Sequence, residues 1–196
     1  MHKRMSPHGD YDHMGESVNL INNIRVSKVI LNCGNFNNLE NKLIKALENK
    51  KIKYYSCTDN LNIDKYKFQF LNTSLYDNEN DNSSVIYFNY KNLKFLFMAD
   101  ASIKRENDIL DMYNLNDIDF LKVGHHGSNT SSSKKFIDSI NPKYSLISVG
   151  ENNRYGHPKE AVLDILKDSK IYRTDKDGSV EIRLNKNGYK VKNCKP

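Results

Sequence analysis

His8, Gly9, Asp10, Tyr11, Asp12 and His13 place two imidazoles and two carboxylates within six consecutive positions. Nitrogen and oxygen donors of this kind suit zinc, manganese or iron rather than a soft thiolate site. Four ligands so close along the chain cannot easily face one ion. A turn running into a helix can send His8 and Asp10 one way and Asp12 and His13 another, which favours two ions side by side. Two metals a few ångströms apart can activate water and clamp both oxygens of a phosphoryl or acyl transition state. A charged cap on the following helix would account for one aspartate but not for the histidines.

Five of the six histidines lie in three short stretches that also carry Gly or Asp: "HGDYDH", "VGHHGSNTSS" and "NRYGHP". In the second, an apolar strand ends in Gly124 and is followed by His125 and His126. One imidazole of this pair can ligate a metal while the other donates to substrate. The hydroxyls of Ser128, Thr130 and Ser131, with free amides at a helix start, could hold an anion. Helix capping by residues 131–133 explains the hydroxyls only. "FLFMAD" ends a strand on Asp100, which could bridge two cations or simply cap the next helix. "SVGENNRYGHP" offers Arg154 and His157, natural contacts for a phosphate; a structural loop explains them equally well.

Alternating elements must position these groups. A helical face (Val18, Leu20, Ile21, Ile24) precedes a β-branched strand, "VSKVILNC", and a helix over 37–51 with Leu39, Leu43, Ile44 and Leu47 as its stripe. "KIKYYSC" and "KFQFLNT" read as strands. "SVIYFNY" and "LKFLFMAD" form a hairpin about Lys91-Asn92. Helix, strand, helix, strand follow. Then comes a helix with Pro158 in its first turn, and short strands close the chain. Alternation of this kind argues for an α/β layered fold. Chemistry in such folds sits in the loops at strand ends.

The 196 residues fit one domain, 1–196, with mean hydropathy -0.73 and net charge +6. The charge favours an anionic partner, nucleic acid included, though most lysines are scattered over helix surfaces. No apolar stretch approaches the ~18–20 residues that span a bilayer, and no signal peptide is legible. The expectation is therefore a cytoplasmic protein. Three cysteines, Cys33, Cys57 and Cys194, read as reduced thiols, the first two buried at strand ends.

In order along nearly the whole chain, these stretches resemble the metallo-β-lactamase superfamily. More closely they resemble the branch found as the hydrolase domain of ComEC-type competence proteins and their stand-alone relatives. His8, Asp10, Asp12 and His13 spell that branch's H-x-D-x-D-H; "FMAD", "HHGS" followed by "TSS", "GHP" and "IYRTDKDGSV" match its later signatures. The resemblance implies an αββα sandwich and two divalent metal ions, Zn or Mn. His8 and Asp10 would bind one ion and Asp12 and His13 the other, with Asp100 bridging and His125 or His126 completing the shell. Asp81 or Asn82 would supply an oxygen where other members carry a histidine. It further implies hydrolysis of a phosphodiester, in DNA, RNA or a small ester, by a metal-activated hydroxide. Asp12 or Asp100 would orient the hydroxide, and His125 or His157 would steady the developing charge. The strands that precede the metal motif in the family are missing from "MHKRMSPHGD", so an uncovered sheet edge is expected. The competing expectation is a non-catalytic metal-binding fragment or interaction module of a larger competence-type protein.

Overall fold

The computed structural model describes residues 2–5, 9–186 and 188–194, the first four by their backbone alone. Strand β1 (His2–Met5) is followed by two short helices, α1 (Tyr11–Met14) and α2 (Ser17–Asn23). Then come β2 (Val26–Leu31), α3 (Asn38–Asn49) and β3 (Lys53–Ser56). The three strands form a parallel sheet in the order β1-β2-β3. The reading of the first ten residues as lacking a strand is thus corrected. An edge strand held by main-chain pairing with β2 needs no apolar pattern, so the hydropathy signal is silent there. Helix α3 begins on a capping box, Asn37 with Glu40, and buries Leu43 and Leu47 against Val29, Leu31 and Ile21.

The second sheet comprises β4 (Asn60–Ile63), β5 (Tyr66–Phe70), β6 (Ile86–Tyr90), β7 (Leu93–Phe97), β8 (Phe120–Lys122), β9 (Tyr144–Ile147) and β10 (Lys170–Arg173). They lie side by side in reverse chain order, β10 to β4. Strands β4 to β7 form an antiparallel meander, and β7 to β10 run parallel. The β6–β7 turn is the expected two-residue one: Tyr90 pairs with Leu93, and Lys91 and Asn92 both have positive φ. Strand β4 was not legible, because "NLNI" carries too few apolar residues to separate it from a loop.

Three helices cover the outer face of this sheet: α4 (Ile103–Met112), α5 (Lys134–Ile140) and α6 (Glu160–Ile165). Ile109, Phe136, Ile140 and Val162 from these helices pack with Leu96, Leu121, Val123 and Ile147 from the strands. On the inner face, Ile30 of β2 meets Leu61, Phe70 and Ile86, which joins the two sheets. The layers are helix, sheet, sheet, helix: the αββα sandwich. Pro158 lies before α6 rather than in its first turn, with Lys159 as the N-cap residue; the X-Pro bond from His157 is cis. After the one-turn α7 (Thr174–Asp177), β11 (Ser179–Asn185) and β12 (Gly188–Cys194) pair as a separate hairpin. Its Tyr189 sits edge-on to Phe120 and Tyr144, so the hairpin rests on an aromatic row that crosses the inner face.

The cysteine reading is also corrected. Cys33 and Cys57 are joined in a disulfide just beyond the carboxyl ends of the neighbouring strands β2 and β3. Parallel pairing brings together two residues that are 24 apart in sequence, with Cα atoms 4.5 Å apart. Only Cys194 is a free thiol, and it is exposed. The cysteines therefore no longer argue for a reducing compartment.

Candidate metal centre

Strands β7, β8 and β9 are parallel, so their carboxyl ends fall at one edge of the sheet. The loops that leave this edge carry Asp100, His125 with His126, and Arg154 with His157. The N-cap position and the single turn of α1 bring Asp10, Asp12 and His13 to the same place. His8 lies outside the described residues.

Asp12, His13, Asp100 and His126 offer ligand atoms that all lie within 4.8 Å of one another. His13 Nε2 is 3.5 Å from Asp12 Oδ2 and 3.3 Å from Asp100 Oδ2, and His126 Nε2 is 3.3 Å from Asp12 Oδ2. A tetrahedral zinc ion with ligand bonds near 2.1 Å has edges of about 3.4 Å. The donor set of two imidazoles and two carboxylates therefore fits one divalent ion in both chemistry and spacing. His126 Nδ1 is 2.6 Å from the carbonyl oxygen of Ser148, the kind of second hydrogen bond that fixes a ligating imidazole.

His125 faces differently. Its Nε2 is 3.8 Å from Asp100 Oδ2, and its Nδ1 is 3.2 Å from Thr130 Oγ1. The two neighbouring histidines are splayed by backbone geometry: both take left-handed φ, 45° and 55°. Each such residue costs on the order of 1 kcal/mol, so the surrounding structure must hold the turn. Gly127, at φ 82°, lets the loop approach Pro158, where an added Cβ would stand 2.5 Å from the proline Cβ. Lys159 N donates to Gly127 O at 2.9 Å, which ties the "HHG" and "GHP" loops together.

The hydroxyl-rich stretch behaves differently from the expectation. Ser128 and Ser131 are buried, at 4% and 2% exposure, and do not present hydroxyls to the cleft. Ser131 Oγ donates to the carbonyls of Gly124 and Ser128. Ser128 Oγ lies 3.0 Å from Thr130 Oγ1, so of the three hydroxyl residues Thr130 alone is exposed. The amides ahead of α5 are not free for an external anion. The buried carboxylate of Glu106 accepts from Ser132 N and, at 2.9 Å, from Ser133 N. Sequence reading missed Glu106, because its partners lie 26 and 27 residues away.

The metal motif has a built support of its own. Gly9 is clamped: its N–H donates to Glu79 Oε1 at 2.8 Å, and its carbonyl accepts from Asn37 Nδ2 at 2.9 Å. A Cβ there would overlap both side chains, at 2.1 Å and 2.3 Å. Asp81 Oδ1 accepts from Ser102 N, and Asn82 uses both amide atoms on the backbone of Tyr76. Neither stands with the cluster; both shape the loops around it.

A cleft of about 290 Å³ opens over the cluster, lined by Asp10, Asp12, Asp100, His125, His126 and His157, with Tyr11, Arg154 and Tyr155 toward its mouth. Tyr11 and Tyr155 are 71% and 58% exposed. The Arg154 guanidinium lies 4.6 Å over the Tyr155 ring, which in turn stacks on His157. Burial, and after it the neighbouring Lys159, pushes the His157 pKa below its usual value. Withdrawal from solvent likewise lowers that of Lys122 at the end of β8, against a smaller opposing pull from Asp100.

A family model described as the metallo-beta-lactamase superfamily matches residues 8–151. The chain belongs to the metallo-β-lactamase superfamily. Within it, the chain is 30% identical over 183 residues to ComE operon protein 3 of Bacillus subtilis (strain 168), covering 90% of this chain and 24% of that protein. It is 36% identical over 129 residues to competence protein ComA of Neisseria gonorrhoeae, covering 63% of this chain and 19% of that protein. The chain thus spans about a quarter or less of the length of these competence-protein relatives. Among solved structures, the metallo-beta-lactamase fold protein YhfI from Bacillus subtilis superposes with a TM-score of 0.57 at 8% identity. That match covers 88% of this chain and 75% of YhfI, and it bears on the fold alone. Among the described residues, no helix is long and apolar enough to cross a membrane.

Proposed function

We propose that this superfamily member is a metal-dependent hydrolase of phosphodiester bonds, with a nucleic-acid strand as the substrate that fits it best. The observation that carries the reading is the Asp12, His13, Asp100 and His126 cluster, three of whose members line a cleft that Arg154 also lines. Those four residues would hold one zinc or manganese ion. Asp100 also faces His125, and Asp10 lines the same cleft, so a second ion would draw on these together with His8. When bound, the metal supplies a Lewis acid and lowers the pKa of water.

The chain's own residues supply the rest. Arg154 offers a planar fork of donors to a phosphate oxygen. His125, held by Thr130, presents Nε2 beside Asp100 toward the cleft and can donate to an oxygen that gains charge. Burial lowers the His157 pKa, which favours its neutral imidazole, and a ring nitrogen can take up a proton at the cleft wall. Asp12 sits between the two imidazoles and orients the attacking oxygen. Tyr11 and Tyr155 offer exposed rings along the cleft, suited to stacking bases on a single strand. Thr130, the exposed hydroxyl residue of its stretch, steadies His125 through its Oγ1.

Metal content by mass spectrometry, on the metal-supplemented chain, tests the first half of the reading. Turnover of a generic phosphodiester and of single-stranded DNA, in the same preparation, tests the second. A folded chain that binds metal but turns over neither would favour the second reading, a non-catalytic metal-binding module. That reading is supported by the chain's matching only a quarter of a much longer competence protein.

A further inference from the structure

We infer that Glu106 is a positioning residue for the metal centre: its buried carboxylate, on α4, holds the loop that aims His125 and His126. The inference rests on the metal-centre reading above. Glu106 is 1% exposed, and it spends one carboxylate oxygen on Ser132 N and the other on Ser133 N. Ser132 itself has a left-handed φ of 60°. The segment from Gly124 to Ser133 therefore contains three non-glycine residues in a disfavoured backbone region, His125, His126 and Ser132, and it needs anchoring at both ends.

The anchors at the amino end are the strand itself and the bond from His125 N to Ala99 O at 2.8 Å. At the carboxyl end, α4 supplies two: Ile103 N donates to Thr130 O at 2.9 Å, and Glu106 accepts from the two serine amides. Thr130 in turn meets His125 Nδ1. The path from Glu106 to a candidate active-site imidazole is thus contiguous: carboxylate, Ser132 and Ser133 backbone, Thr130, His125. A neutral amide could satisfy only one of the two N–H groups. It would leave the other buried against its own NH2, so the loop would relax out of its strained turn.

Residue-resolved hydrogen exchange on the metal-free chain, at a pH above about 7 where the Glu106 carboxyl is ionised, tests this by comparing wild type with Glu106→Gln. Loss of a charge-assisted bond should speed exchange at His125, Ser128 and Ser131–Ser133 by about tenfold or more. Ile109 in α4 and Ile140 in α5 should keep wild-type protection. With metal, the variant should bind zinc about 10- to 100-fold more weakly, the usual loss when a supporting group behind a ligand is removed. Its cobalt-substituted form should show altered visible absorption. Leu47→Ala, in the distant α3 core, serves as a control that lowers Tm without either change. If Glu106→Gln does not fold, Glu106→Asp, which keeps the charge but shortens the reach, is read in the same way. Unchanged exchange at His125 and Ser128, a uniform loss of protection, or collapse of both variants would overturn the inference. If wild type takes up no metal, the metal-centre reading fails, and the exchange pattern still decides the role of Glu106.

Discussion

Asp12 Oδ2 lies 3.5 Å from His13 Nε2 and 3.3 Å from His126 Nε2, although His126 is 114 residues away in sequence. Replacing it with alanine leaves two imidazoles and Asp100, one ligand short of a closed shell. Asp12→Ala is expected to lose bound metal and to abolish phosphodiester turnover while keeping the wild-type circular dichroism; metal analysis and a turnover assay on one sample check this. Glu106 makes a separate prediction about stability. Burial pushes its carboxyl pKa up to about 7 from the ordinary 4.5, against the opposing pull of the Ser133 and Ser132 hydrogen bonds. Between those values the folded chain retains a proton that the unfolded chain has lost. Its contribution to stability is thus complete below pH 4.5, falls as pH rises to about 7 and is flat above. The full swing is at most about 3 kcal/mol. Urea titrations from pH 4.5 to 7.5 should show the slope in wild type, and Glu106→Gln should flatten it.

At the level of elements, the site depends on which strand ends are tied together. The disulfide pins the carboxyl ends of β2 and β3. From the β2 end runs the loop to Asn37, whose side chain holds Gly9 and Glu79. On the chain-entropy account, closing a loop of this length stabilises the fold by about 3 kcal/mol. The double variant Cys33→Ser, Cys57→Ser should lose a comparable amount in urea unfolding, and wild type under reductant should match it. A difference between those two measurements would show that the serine side chains themselves disturb the site. Gly127→Ala tests the other tie, between the "HHG" and "GHP" loops. A methyl group at φ 82°, 2.5 Å from Pro158 Cβ, should destabilise by about 1–3 kcal/mol. It should also weaken metal binding, because His126 moves with Gly127; isothermal titration with zinc reads this directly.

For the molecule as a whole, the net charge of +6 and the row of Arg154, Tyr155 and His157 at the cleft mouth bear on the substrate. A strand engaging several phosphates displaces counterions, so its affinity should fall steeply with salt, whereas a small ester should barely respond. Binding of a labelled single-stranded oligonucleotide between 50 and 200 mM salt, on the order of the range over which such losses are seen, distinguishes the two. Tyr155→Ala should weaken oligonucleotide binding by about 1–3 kcal/mol through lost stacking.

Much of the site was legible because its side chains are clustered along the chain. "HGDYDH", "FMAD", "HHGS" and "GHP" each announce a strand-end loop, and alternating apolar patterns place those loops in an α/β layered fold. Tertiary structure decided whatever depends on contacts between distant segments. It separated His126, within the ligand cluster, from His125, beside Thr130, because two left-handed residues in succession turn adjacent side chains apart. It buried Ser128 and Ser131 and filled the amides before α5 with Glu106, a pairing that no local pattern encodes. It joined Cys33 to Cys57 through parallel strand register, which is invisible in spacing alone. It also drew polar residues 2–5 into an edge strand through backbone pairing, where hydropathy has nothing to report. Residue types along the chain set which chemistry is available; long-range packing sets which of those residues face one another.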